Sequence, residues 1–206
     1  MSNVLLITSS PRGELSYSSK VARALVDRLT AGDPAARVVV RDLAAEPLPH
    51  IGGDFLASLG APAESRSPAQ AAALALSDRL IAEIKAADVI VIASAMINFG
   101  IASTLKTWFD YLLRAGETFA YVDHRPVGLV TGKKVYLAQA RGGVYSDGPL
   151  QAANFQEPHL RTLLGFIGLT DVEAIAVEGV AFGPDVAEKA FASALDRVSA
   201  IPAQAA

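Results

Sequence analysis

The chain has 206 residues, 51% of them hydrophobic, a formal net charge of −3 and no cysteine. That length supports one large domain with its own core, so residues 1–206 read as a single unit. The composition excludes a basic nucleic-acid footprint, an apolar membrane span of roughly 18 residues, a disulfide framework and thiolate metal sites.

In the absence of thiols, redox chemistry here needs a borrowed cofactor, and a reducing cytoplasm is the expected location. Met1-Ser2-Asn3 lacks the basic start of a secretory leader. Val4-Leu5-Leu6-Ile7 follows as an unbroken apolar run, the mark of a strand buried on both faces. It opens into a stretch, 8–19, that holds five serines, and then into a helix with Val21, Leu25 and Leu29 four apart. Hydroxyls beside the free N–H groups of a helix start suit an anion, phosphate above all. The plainer reading is that these serines only cap the helix. Neither a GxxxxGK[ST] nor a GxGxxG string is present.

Arg37 to Arg41 predicts the second strand. Residues 42–67, rich in Pro, Gly and Ala, read as a surface excursion with a short helix near 54–59. Ser67-Pro68, a cap followed by proline at the first position, starts a long helix that ends near Ala87. Asp88-Val-Ile-Val-Ile-Ala-Ser-Ala-Met-Ile-Asn-Phe-Gly100 then gives a buried strand that ends at Ser94 in a polar and aromatic turn. Ser103-Thr104 stand where a cap would, ahead of Leu105, Trp108, Phe109 and Leu112 at helical spacing.

Residues 119–130 predict a hairpin turning at Asp123-His124-Arg125-Pro126. Val135 to Ala138 is another buried strand, opening into Gln139-Ala140-Arg141-Gly142-Gly143-Val144-Tyr145. A helix over 158–166, a strand over 172–177 and a helix over 184–198 complete the chain, and the tail after Ile201 is expected to fray. The alternation argues an α/β, three-layer, doubly wound fold: a five-stranded parallel sheet in the flavodoxin-like order 2-1-3-4-5. In that order three unusual loops converge at the switch point: 10–18, 96–99 and 140–143. One offers anion donors, one an amide and aromatics, one adjacent glycines that permit close backbone approach. Those match the phosphate, ring edge and ring face of FMN.

At these residues the chain resembles the FMN-dependent NADH:quinone oxidoreductase and azoreductase family. The likeness lies in Ser9-Ser10 with Ser16 and Ser18, in Met96-x-Asn98-Phe99 followed by Leu105-Lys106, and in Arg114-Ala115-Gly116. It continues through Gly128-Leu129-Val130-Thr131-Gly132-Lys133-Lys134, Arg141-Gly142-Gly143 and Leu164-Gly165-Phe166-Ile167-Gly168. The resemblance implies a homodimer with FMN near the subunit interface, NADH or NADPH as donor, and quinones or azo compounds as acceptors in a ping-pong cycle. It implies that Ser10, Ser16 and Ser18, with Tyr17 between them, hold the FMN phosphate. Met96, Ile97, Asn98 and Phe99 would border the ring, and Ala140, Arg141, Gly142 and Gly143 would face its pyrimidine end. Phe99, Tyr121, Tyr145 and Phe166 would wall the substrate pocket, from either subunit. Departures from the family's usual residues fall at Tyr17, Ala95, Ile97 and Ala140, which would remove side-chain contacts and leave backbone ones, and at Tyr145, where the family often has a histidine, so no proton donor is assigned there.

No metal is expected, because His50, His124 and His159 form no ligand-spaced pair. Trp108 reads as core, and Asp110 and Glu117 as helix-surface charges. A flavodoxin-like electron carrier serving a protein partner is the alternative function. A serine hydrolase lacks its GxSxG elbow.

Overall fold

The structure, a computed structural model, describes residues 2–203; the tail expected to fray falls outside that range from position 204. Seven strands occur among the described residues: β1 (Asn3–Thr8), β2 (Arg37–Asp42), β3 (Val89–Ala95), β4 (Phe119–Val122), β5 (Arg125–Gly128), β6 (Lys134–Ala140) and β7 (Val172–Val177). Five of them form a parallel sheet in the order β2-β1-β3-β6-β7, while β4 and β5 pair only with each other. With the hairpin set aside, this is the expected 2-1-3-4-5 order.

Among the described residues there are six α-helices: α1 (Tyr17–Thr30), α2 (Gly53–Gly60), α3 (Pro68–Ala86), α4 (Ser103–Leu112), α5 (Gln156–Phe166) and α6 (Pro184–Ala200). Strand side chains alternate between faces, so each apolar run feeds two cores. Leu5, Ile7, Ile90, Ile92 and Leu137 pack with Leu80, Ile84, Trp108 and Leu160 from α3, α4 and α5. Val4, Leu6, Val89, Val91 and Ala138 pack with Val21 and Leu25 of α1 and Val198 of α6. Helix cover on both faces is why the central runs are continuously apolar. Trp108 is fully buried, as expected.

Local signals explain most boundaries. Ser67 accepts from the Gln70 N–H while the Gln70 side chain accepts from the Ser67 N–H, a complete capping box with Pro68 behind it. Asp123 and His124 have φ of 49° and 63°, so the hairpin closes through a two-residue primed turn and Pro126 already belongs to β5. Several boundaries differ from the sequence reading, among them the end of β6, which runs on through Gln139 and Ala140. β3 extends through Ser94 and Ala95 because both pair with β6. α4 starts from Ala102, with no side-chain cap. α5 starts at Gln156, and Pro158 sits inside its first turn, where a missing N–H costs nothing. No helix among the described residues is long and apolar enough to cross a membrane.

Candidate functional site

All strands of the main sheet point the same way, so the loops after β1, β3 and β6 leave one edge. One cleft there is lined by Ser10, Ser16 and Tyr17 from the first loop, Met96 and Ile97 from the second, and Ala140 and Gly142 from the third. The predicted convergence therefore holds.

The first loop is a donor cradle. Ser16 is the N-cap of α1, yet its side chain caps nothing. Instead the Ser16 and Ser18 hydroxyls, both buried, bond each other at 3.0 Å. The plain capping reading of these serines is thereby set aside. The first N–H of α1 bonded within the helix is that of Lys20, to the Ser16 carbonyl. The N–H groups of Tyr17, Ser18 and Ser19 thus stand at the positive end of the helix dipole without helical acceptors. No acidic residue lies in that first turn, and nearby Glu14 is paired with Arg23. Ser10 is buried and its Oγ accepts the Arg12 N–H at 3.4 Å. Ser9 turns away, donating to the Ala93 carbonyl. Tyr17 packs its ring on Phe191 of α6, 5.5 Å between centroids.

The second loop is a strained turn. Ile97 and Gly100 exchange two backbone hydrogen bonds of 3.0 Å, and Asn98 and Phe99 between them have φ of 46° and 71°. Both central residues are left-handed, a primed turn built here without glycine at a cost of order 1 kcal/mol or more. That geometry exposes Ile97, Asn98 and Phe99 at the cleft mouth, while the Met96 N–H is tied to the Ala140 carbonyl at 2.8 Å. Phe99 meets Tyr145 edge-on at 6.3 Å.

The third loop is held from behind. The carbonyls of Arg141, Gly142 and Gly143 accept from Val180, Ala181 and Gly179, at 3.2, 3.0 and 3.0 Å. A trans peptide points its N–H opposite to its C=O. The N–H groups of Gly142 and Gly143 are therefore turned away from 179–181, and they donate to no acceptor among the described residues. A Cβ on Gly143 would stand 3.2 Å from the Tyr145 ring, tighter than ordinary contact.

One expectation is corrected here. The Arg141 guanidinium does not face the cleft; it is buried to 1% exposure and spent on carboxylates and amides behind the loop, as a buried guanidinium must be. Tyr121 and Phe166, expected from either subunit, do not join Phe99 and Tyr145 within one chain. They pack instead around Phe119, at 5.7 and 4.6 Å. α5 begins beside Ser94 and carries Phe166 ten residues on, roughly 15 Å away.

The sequence reading missed Arg12 and Val180, which also line the cleft. Arg12 is exposed and its guanidinium meets no acceptor among the described residues; a cation in a serine loop could have been noticed. Val180 comes from beyond β7, and no local signal marks it. The three histidines carry no metal cluster among the described residues; His50 instead shares a 3.0 Å bond with Thr107.

Over residues 2–201 the chain matches the family model described as flavodoxin-like fold. It belongs to that flavodoxin-like family. Among its relatives is the FMN-dependent NADH:quinone oxidoreductase 1 of Rhizobium etli, 53% identical over 201 residues that cover 98% of each chain. Another is the FMN-dependent NADH:quinone oxidoreductase of Agrobacterium fabrum, 50% identical across the full length of both. The solved azoreductase from Bacillus anthracis superposes with a TM-score of 0.88 at 33% identity, covering 97% of each chain.

Glu178 titrates in this setting. Burial pushes its carboxyl up, but the Ser146 hydroxyl, the Tyr145 N–H and Arg141 outweigh it and hold it below the usual 4.5. A folded value below the unfolded one stabilises the protein above about pH 4.5, and that contribution is lost as pH falls through the folded value. Wild-type stability should therefore drop more steeply between about pH 5 and pH 3 than that of Glu178→Gln, measured by urea unfolding; equal slopes would contradict it.

Proposed function

We propose that the chain is an FMN-dependent NADH:quinone oxidoreductase that also reduces azo compounds, with residues 1–206 acting as one FMN-binding domain in the cytoplasm. One observation carries the reading: three loops with three chemistries line a single cleft. The donor set suits the cofactor. Two buried hydroxyls, three free N–H groups and Arg12 present donors and positive charge for a phosphate dianion. Two glycine N–H groups at the other wall suit ring carbonyls. FMN, when bound, supplies hydride transfer from NADH or NADPH to the acceptor.

The chain's own residues bind and orient. Ser10, Ser16, Ser18 and the start of α1 fix the phosphate. Met96, Ile97, Asn98 and Phe99 border the ring and leave one face open for donor and acceptor in turn, which gives ping-pong kinetics. The N–H groups of Gly142 and Gly143 favour negative charge at the pyrimidine end. Phe99 and Tyr145 form one wall of the substrate slot. In a homodimer, Tyr121 of the partner subunit and Phe166 of the partner subunit supply the facing wall that a single chain does not bring there.

Purified protein should be yellow with flavin absorption bands. It should oxidise NADH in the presence of benzoquinone or an azo dye, with parallel double-reciprocal plots. Protein that oxidises neither NADH nor NADPH with either acceptor rejects the reading.

A further inference from the structure

The loop after β6 owes its shape to groups that never reach the cleft. Arg141 is the largest fully buried charged side chain among the described residues, and it donates to four residues from β6, α5 and the end of β7. Its Nε bonds Gln156 Oε1 at 2.9 Å; its terminal nitrogens bond Glu178 at 2.8 Å, Gln139 at 2.7 Å and Glu157 at 3.2 Å. Glu178 in turn accepts the N–H groups of Tyr145 (2.8 Å) and Ser146 (3.0 Å) and the Ser146 hydroxyl. Gln156 passes the connection to β3, donating to the Ser94 carbonyl at 2.9 Å and its hydroxyl at 3.1 Å. A single guanidinium therefore joins the ends of β6 and β7 to the start of α5, and through Gln156 it reaches the end of β3. The two loops flanking the ring end of the cleft both hang from it.

We propose that Arg141 and Glu178 are a positioning couple: together they fix where the N–H groups of Gly142 and Gly143 and the 96–99 turn stand relative to a bound flavin ring. The proposal rests on the reading of the cleft as an FMN site. Its physical basis is that a buried ion pair fixes geometry more than it adds stability. Removing the Glu178 charge leaves the buried guanidinium with Glu157 as its remaining carboxylate, on the α5 side, and takes away the one that also holds Tyr145 and Ser146, so the loop must move. The phosphate cradle around Ser16 and Ser18 shares no hydrogen bond with the couple, and its contribution should be untouched.

The test separates ring from phosphate. The full-length chain, stripped of flavin, is titrated with FMN and with riboflavin, which has the same ring and no phosphate, following quenching of flavin fluorescence. Glu178→Gln keeps an oxygen for Tyr145 and Ser146 but removes the charge opposite Arg141. It should weaken both flavins by the same factor, roughly tenfold, so that the ratio of the two Kd values stays at the wild-type value. The visible band of bound FMN should shift. Arg141→Met should weaken both flavins further, and Arg141→Lys should recover part of that loss. A merely structural pair would lower the melting temperature while ring affinity and band shape stayed wild-type, and that result overturns the proposal. So does a loss confined to FMN. A wild-type chain that binds neither flavin overturns the FMN site itself, and is seen before any variant is made.

Discussion

The double variant Ser16→Ala/Ser18→Ala should bind FMN about 100-fold more weakly than the wild type and bind riboflavin as the wild type does. The two hydroxyls face each other at 3.0 Å in a buried setting at the start of α1. A hydrogen bond to a charged group contributes roughly 1.5–3 kcal/mol, so losing two costs about 3 kcal/mol or more, or two powers of ten in Kd. The helix N–H groups and Arg12 remain, which is why binding weakens and does not vanish. Stability should behave differently. The hydroxyls share one hydrogen bond, so removing both strands neither partner and the double variant should melt close to the wild type. Either single variant strands its partner and should lose about 1 kcal/mol. Fluorescence titration with both flavins, with thermal unfolding alongside, reads all of this. A change in FMN affinity below about threefold would reject the phosphate role.

Gly128→Ala should be the most damaging single methyl group in the molecule. A Cβ at that position would lie 2.1 Å from the Gly168 nitrogen and 2.3 Å from the Ile167 carbonyl carbon. These are backbone atoms of the turn ending α5, and no rotamer change relieves them. Gly168 has φ of 103° and its own Cβ would come within 2.9 Å of the Val130 carbonyl oxygen, so neither side of the contact has room. The Val130 N–H also bonds the Ile167 carbonyl at 2.8 Å, which holds the two segments together. Overpacking a well-packed site costs typically about 1–3 kcal/mol, and a clash against backbone belongs at the top of that range or beyond. At this chain length 3 kcal/mol corresponds to a fall of roughly 6–12 °C in melting temperature. The contact also seats the β4–β5 hairpin that carries Tyr121, so quinone turnover should fall with stability. A variant that melts within about 1 °C of the wild type would show that the close approach is not rigid.

These two effects differ in how far they could be read beforehand. The serines announced themselves by type and position between a strand and a helix, and backbone chemistry did the rest. The glycines of 128 and 168 stood out only as parts of a resemblance. That they touch, and so have no Cβ for a physical reason, follows from the fold.

What the sequence by itself determined is the local and periodic part. Short apolar runs at 4–7, 89–93 and 135–138 suit strands covered on both faces, and Ser67-Pro68 is a helix-start signal. From that alternation the strand order and the meeting of three loops at one sheet edge followed. What only the tertiary structure decided is where long side chains from those loops end. Arg141 reads as a ligand contact beside two glycines, yet its guanidinium goes inward because four acceptors from β6, α5 and the end of β7 surround it. Tyr121 and Phe166 read as pocket walls from either subunit, yet within one chain the length of α5 carries Phe166 away from Phe99 and the β4–β5 hairpin holds Tyr121 beside it, both against Phe119. Val180 enters the cleft because 179–181 pairs with the carbonyls of 141–143. Backbone periodicity is written in neighbouring residues, whereas the partner of a buried charge and the reach of a helix end depend on residues distant along the chain, and those are brought together only by packing.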